Sequence, residues 1–149
     1  MTTLKPGDKA PFFEALNQRG ETIRLDDFAG KKVLLFFYPK ASTPGCTAEA
    51  CNLRDNYQAF QSKGYEIIGV SADTEKKQLN FAEKYDLPFN LLADTEREVI
   101  NAYGIWGPKK FMGREYDGIH RTSFVIDEKG VIEEVITKVK TKDHAAQVI

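Results

Sequence analysis

Apolar runs of two lengths alternate along this chain, and their lengths separate strands from helices. VLLFFYP at 33–39 and YEIIGVSAD at 65–73 are continuous apolar stretches too short for free-standing helices, which predicts central strands covered on both faces. FNLLAD at 89–94, reached through Pro88, predicts a third strand. After the first of these, CTAEACNLRDNYQAFQSKG has helical composition and stops at Gly64, a residue suited to the C′ position. A second helix is expected from about Glu75 to Tyr85, with Leu79, Phe81 and Ala82 on its apolar side. EREVINAYG at 96–104 predicts a short helix ended by Gly104, and a last helix is expected from Lys142 onward. Near the start, FFEALNQRGETIRL (12–25) reads as two short strands about a turn at Asn17 to Gly20. RTSFVID (121–127) and VIEEVIT (131–137) read as a hairpin across Glu128-Lys129-Gly130. WGPKKFMGREYDG, rich in glycine and charge, is expected to be a loop.

The order β-β, β-α-β-α-β-α, β-β, α implies right-handed crossovers with parallel pairing in the middle and an antiparallel hairpin at the edge. The predicted fold class is therefore α/β: a thioredoxin-like fold with a central mixed β-sheet flanked by α-helices and an N-terminal β-hairpin. Periodicity alone leaves other α/β arrangements open. The length, 149 residues, suits one domain spanning 1–149 with a substantial core. Twenty-one basic against 22 acidic residues give a net charge of −1, which offers no basis for nucleic acid or an anionic membrane as partner. The start, MTTLKPGDKAPFF, lacks an apolar core of signal-peptide length, so a cytoplasmic location is the default expectation. In that compartment thiols are kept reduced, and two cysteines are reactive or inert in preference to a permanent staple.

Both cysteines lie in FFYPKASTPGCTAEAC, residues 36–51. Thr43 suits an N-cap and Pro44 the first helical position, where its missing N–H costs nothing. Cys46 then falls at N3, among unpaired backbone N–H groups at the positive end of the helix dipole, and both features favour a thiolate. Gly45 lets a substrate approach the backbone closely. The alternative is that Cys46 is a small apolar residue at a helix start. For Cys51 the alternative is a core cysteine facing the sheet. In an unbroken helix residues i and i+5 stand about 8–9 Å apart and diverge by roughly 140°, whereas a disulfide needs Cα atoms within about 7 Å. Either the two never pair, or pairing requires the first turns to unwind. The C-x4-C spacing does not suit zinc, and His120 and His144 are too few and too distant for a four-ligand site; both histidines are expected at the surface. No phosphate loop or dinucleotide fingerprint is present, so neither a metal nor a cofactor is expected.

YPKASTPGCTAEAC resembles the signature of the peroxiredoxins, with the P-x3-T-x2-C core carried by Pro39, Thr43 and Cys46. A cysteine five positions after the first is similar to the bacterioferritin-comigratory, or Q-type, group. PGDKAPFF, SADTEKKQLNFAEKYDLPFNLLAD, YGIWGPKKFMG and RTSFVIDEKG extend the likeness over nearly the whole chain. The resemblance implies a thioredoxin-dependent thiol peroxidase, acting on hydrogen peroxide and organic hydroperoxides, with Cys46 as peroxidatic nucleophile. It also implies that the Thr43 hydroxyl and the Cys46 backbone N–H contact the peroxide. Arg121 would stabilise the thiolate, and Pro39 would shield the sulfur. Cys51 becomes the resolving cysteine, forming a Cys46–Cys51 disulfide after local helix unwinding, with a thioredoxin-like dithiol restoring the reduced state. The implied partners are peroxide and that reductant, and the implied state is a monomer. Two rival readings keep the same thiols: a redox sensor without efficient turnover, and an inert domain whose cysteines only pack. Ala41 departs from the family pattern, where Asp is frequent, so a local polar contact is expected to be missing; Trp106 is read as a packing anchor.

Overall fold

A computed structural model describes residues 2–149. Its strands are β1 (Glu14–Leu16), β2 (Thr22–Arg24), β3 (Lys32–Phe37), β4 (Tyr65–Ser71), β5 (Asn90–Ala93), β6 (Trp106–Phe111), β7 (Arg114–Ile119), β8 (Thr122–Ile126) and β9 (Ile132–Ile136). The helices are α1 (Pro44–Asp55), α2 (Tyr57–Ser62), α3 (Glu75–Lys84), α4 (Glu98–Ala102) and α5 (His144–Val148).

Five strands form the central sheet in the order β5-β4-β3-β8-β9. β3 pairs parallel with β4 and β4 with β5, while β3–β8 and β8–β9 are antiparallel, which makes the sheet mixed as expected. β3 lies at its centre and divides the core by simple alternation. Leu34, Phe36 and Tyr38 point to one face and pack with Cys46, Ala50 and Leu53 of α1, Phe60 of α2, Phe81 of α3 and Ala145 of α5. Val33, Leu35 and Phe37 point to the other, against Val99 and Ile100 of α4, Tyr103 and Phe13. Helices thus cover both faces, and β1–β2 form the expected N-terminal hairpin.

Three local expectations need correction. The helix expected up to Gly64 is broken at Asn56, the residue between α1 and α2. The cause is local: the Asn56 side chain donates to the Asn52 carbonyl at 2.8 Å, the acceptor its own backbone N–H would use, and that N–H turns to Leu53 O at 3.2 Å. The segment expected as a loop from Trp106 is instead the antiparallel ribbon β6–β7, closed by Met112 and Gly113 at φ 51° and 80°. Those two positive φ values are the requirement of a type I′ turn. Finally, His144 is fully buried instead of lying at the surface. On α3 the buried positions are Gln78, Phe81 and Ala82, with Leu79 only half-buried.

Gly69 in β4 has a steric reason. A Cβ there would stand 2.8 Å from Phe36 Cζ and 2.9 Å from Leu91 Cδ2, both in a packed core without room to give. Gly69→Ala is expected to destabilise the fold by about 1–3 kcal/mol, measured by urea unfolding; an unchanged midpoint would show that the packing at β4 is looser than described.

Candidate active site

The site is assembled where β3 ends. Pairing of Phe37 with Thr122 places the residue before β8, Arg121, beside the chain leaving β3. That chain runs through Tyr38 and the half-buried Pro39 to the start of α1. The Tyr38 hydroxyl donates to Gln78 Oε1; the Gln78 amide donates to Ser71 Oγ and Leu92 O, each at 2.9 Å; Ser71 Oγ donates to Asp73 Oδ2 at 2.7 Å. The same Asp73 oxygen accepts from the Ala41 backbone N–H at 2.7 Å. An anchored polar chain therefore holds the loop at Ala41 through its backbone, although its side chain is apolar. Ser42 follows with φ 64°, a left-handed conformation that costs a non-glycine residue of order 1 kcal/mol or more.

Thr43 is the N-cap of α1 and Pro44 its first residue, as the sequence predicts. The Thr43 hydroxyl does not cap the helix. It donates to Lys40 O at 2.7 Å, so its one O–H is taken and its oxygen is left as an acceptor. The first helical bond runs from Thr47 N–H to Thr43 O at 2.8 Å. Among the described residues, the Gly45 and Cys46 amides have no hydrogen-bond acceptor, and they form a small donor set at the helix N-terminus.

Cys46 is buried, and Arg121 reaches it: Arg121 Nη2 donates to Cys46 Sγ at 3.3 Å. Arg121 Nη1 donates to Glu49 Oε1 at 2.6 Å, so one guanidinium holds a sulfur and a carboxylate from the same helix. Gly45 makes room for this arm, because a Cβ there would stand 3.3 Å from Arg121 Nη2. Burial works against the Arg121 charge, but Cys46 and Glu49 outweigh it and hold the guanidinium above its ordinary range. Glu49 is one of the residues that the sequence reading missed. Burial pushes its carboxyl up from 4.5 to about 7, against the lowering pull of Arg121. Its Oε2 has no hydrogen-bond partner and stands 3.5 Å from His144 Nε2. A glutamate three residues after Cys46 reads as solvated helix surface unless the helix is known to pack that turn inward.

Cys51 lies on the same unbroken helix, half-buried, and both thiols are free. The structure therefore brings Cys46 and Arg121 into contact, places Thr43 and Pro39 on the adjoining loop, and keeps Cys51 apart. Just beyond it, Asn52 ties α1 to α5: its Nδ2 donates to Lys142 O at 3.2 Å, and its Oδ1 accepts from Ala145 N–H at 2.8 Å. Trp106 is an anchor, as expected, with the Arg97 guanidinium 4.3 Å from its ring centroid. Among the described residues, no cluster of three His, Cys, Asp or Glu side chains could hold a metal ion, and no helix is long and apolar enough to cross a membrane.

Glu49 gives the stability a pH dependence of definite sign. Its folded pKa is raised, so between about pH 4.5 and 7 the folded chain holds a proton that the unfolded chain releases, and stability falls as pH rises through that window. Burial lowers His144, which acts in the opposite sense below its ordinary value of 6.5. Because His144 Nε2 stands 3.5 Å from Glu49 Oε2, the difference between wild type and a Glu49→Gln variant reads the buried pair as a unit, with Glu49 setting its sign. Melting curves of the two should show the variant gaining on wild type by on the order of 5 °C from pH 5 to pH 8. A pH-independent difference would contradict the burial of an ionisable Glu49.

Residues 6–135 match the AhpC/TSA family. Peroxiredoxin Bcp of Escherichia coli is 50% identical over 144 residues, covering 97% of this chain and 92% of the relative. Peroxiredoxin Bcp of Bacillus subtilis is 46% identical over 147 residues, covering 99% and 94%. Among solved structures, a bacterioferritin comigratory protein of Xanthomonas campestris, described for its alkyl peroxide reduction activity, superposes with a TM-score of 0.86. It shares 31% identity and covers 91% of this chain and 87% of its own.

Proposed function

Since this chain belongs to the AhpC/TSA family and resembles its Bcp, or Q-type, peroxiredoxins over almost its full length, we propose that it reduces hydrogen peroxide and organic hydroperoxides through Cys46. The observation that carries this reading is the contact between Arg121 and the Cys46 sulfur at the start of α1. A permanent cation and the positive end of a helix both face that sulfur.

In the reaction, the thiolate attacks the terminal oxygen of the hydroperoxide. The S–O bond forms as the O–O bond breaks, leaving a sulfenic acid on Cys46 and an alkoxide or hydroxide that takes a proton from water. Charge develops on the oxygens during this transfer, and the donors that could meet it are the Cys46 and Gly45 amides and Arg121, while the Thr43 hydroxyl, its one O–H held by Lys40 O, is left to accept from the hydroperoxide O–H. Pro39 screens the sulfur from bulk water in this scheme. The sulfenic sulfur is then attacked by the Cys51 thiol. The S–S bond forms, and the hydroxyl leaves as water with the Cys51 proton. A thioredoxin-like dithiol completes the cycle by exchange.

The intact helix keeps the thiols too far apart, so the second step requires opening of α1. Two features support a bounded opening. Asp73 anchors the chain at Ala41, and strained Ser42 directly follows. At the other end, Asn52 is fastened to α5, so the segment free to unwind is 42–51. Local openings of this kind draw on the least stable turns of a fold.

Mass spectrometry after one equivalent of hydrogen peroxide should show a loss of two hydrogens and a peptide linking Cys46 to Cys51. Cys51→Ser should stop at the Cys46 sulfenic acid and lose thioredoxin-dependent turnover, and Cys46→Ser should consume no peroxide. Full turnover by Cys51→Ser would refute its resolving role, and peroxide consumption by Cys46→Ser would refute the site.

A further inference from the structure

Behind Cys46 the hydrogen-bond network leaves one place for a proton. Gln147 of α5 donates through Nε2 to Lys138 O at 2.9 Å, and its Oε1 accepts from Lys140 N–H at 2.9 Å. Both ends of the amide are thereby assigned, and Oε1 lies 2.7 Å from His144 Nδ1, which must carry the hydrogen of that bond. In the neutral ring His144 Nε2 is then an acceptor, and it takes the hydroxyl proton of Ser123 at 2.7 Å. This arrangement leaves Glu49 Oε2, 3.5 Å from the same Nε2, buried with no donor. An unpaired buried carboxylate oxygen is costly, and one added proton between Oε2 and Nε2 removes the defect.

The charged neighbours decide when that proton is held. Arg121, from the start of β8, donates to Glu49 and opposes it. Lys109 of β6 is within electrostatic reach of Arg121 and Cys46, and its Nζ is held on Ile119 O at 2.9 Å. The Cys46 thiolate, on the same helix as Glu49 and bonded to the same guanidinium, favours it. With the thiolate formed, two anions share the one cation Arg121, and an added proton balances the cluster. With the thiolate gone, Glu49 and Arg121 already balance.

We propose that Glu49 and His144 share one buried proton whose occupancy follows the charge on Cys46, which makes His144 a positioning residue for Arg121. The proton is taken from solvent when the thiolate forms and returns to it when the sulfur becomes neutral. Full ionisation of Glu49 then draws Arg121 toward the carboxylate and off the oxidised sulfur. This last consequence rests on the peroxidase reading; the coupling between the two charges does not.

The test is a nitrogen-15 NMR titration of the His144 ring from pH 5 to pH 9 in the reduced protein, without peroxide, so turnover does not enter. The ring should keep its proton on Nδ1 and show a titrating Nε2 resonance. In Cys46→Ser, which has no thiolate, the midpoint should move to lower pH by on the order of one unit. In Glu49→Gln the pH dependence that Glu49 imposes should disappear. His144→Gln, which can still donate an N–H to Glu49, should keep the wild-type pH profile of thiol reactivity better than His144→Leu. An Nε2 resonance that does not change with pH, or a midpoint identical in wild type and Cys46→Ser, would overturn the proposal.

Discussion

Arg121 holds two groups of one helix at once, the Cys46 sulfur at 3.3 Å and the Glu49 carboxylate at 2.6 Å. Much of the molecule serves to make that grip possible. The antiparallel register of β3 and β8 delivers Arg121 to the end of the central strand. Gly45 leaves space for the guanidinium. Glu49 is buried on the inner side of α1, so its carboxylate is strongly felt and fixes the direction of the arm. A guanidinium suits this position because its planar fork serves two acceptors in fixed geometry, which an ammonium cannot do. The reactivity assigned to Cys46 is therefore a property of the strand register as much as of the helix start.

The same helix is asked to be both firm and able to open. Its later half is firm: Leu53 packs into the core, and Asn52 is bonded to α5. Its beginning is less secure, with an N-cap that provides no side-chain bond and a strained residue just before it. The separation of Cys46 from Cys51 follows from helical geometry, so in the proposed cycle the disulfide and the intact first turns exclude each other. A helix N-terminus that activates a thiol must have exposed amides, and those amides are also what makes the first turns easy to lose.

Most of the framework was legible in the sequence, because its signals are strong where burial is complete. VLLFFYP and YEIIGVSAD read as interior strands, and Thr43-Pro44 marked the start of α1. The ribbon β6–β7 was not legible: most of its residues face solvent, so no apolar alternation betrays it. Its turn uses Met112 in a left-handed conformation, where asparagine or glycine would have signalled it. Within the site, motif and helix position brought Cys46, Thr43 and Arg121 forward as candidates, and the structure places Arg121 against the Cys46 sulfur. Glu49, Gln78 and His144 were not legible, because polar residues read as surface until the packing that buries them is known. Each is held by partners distant in sequence: Arg121 for Glu49, Tyr38 for Gln78 and Ser123 for His144.

The central claim is that Arg121 activates the Cys46 sulfur for attack on peroxide. Its most direct test is the second-order rate of thiol loss when reduced protein meets hydrogen peroxide, compared between wild type and Arg121→Gln at matched fold stability. The account predicts a fall of about a hundredfold or more, the size expected when one preorganised charge at a reacting centre is removed. Equal rates in the two proteins would contradict it.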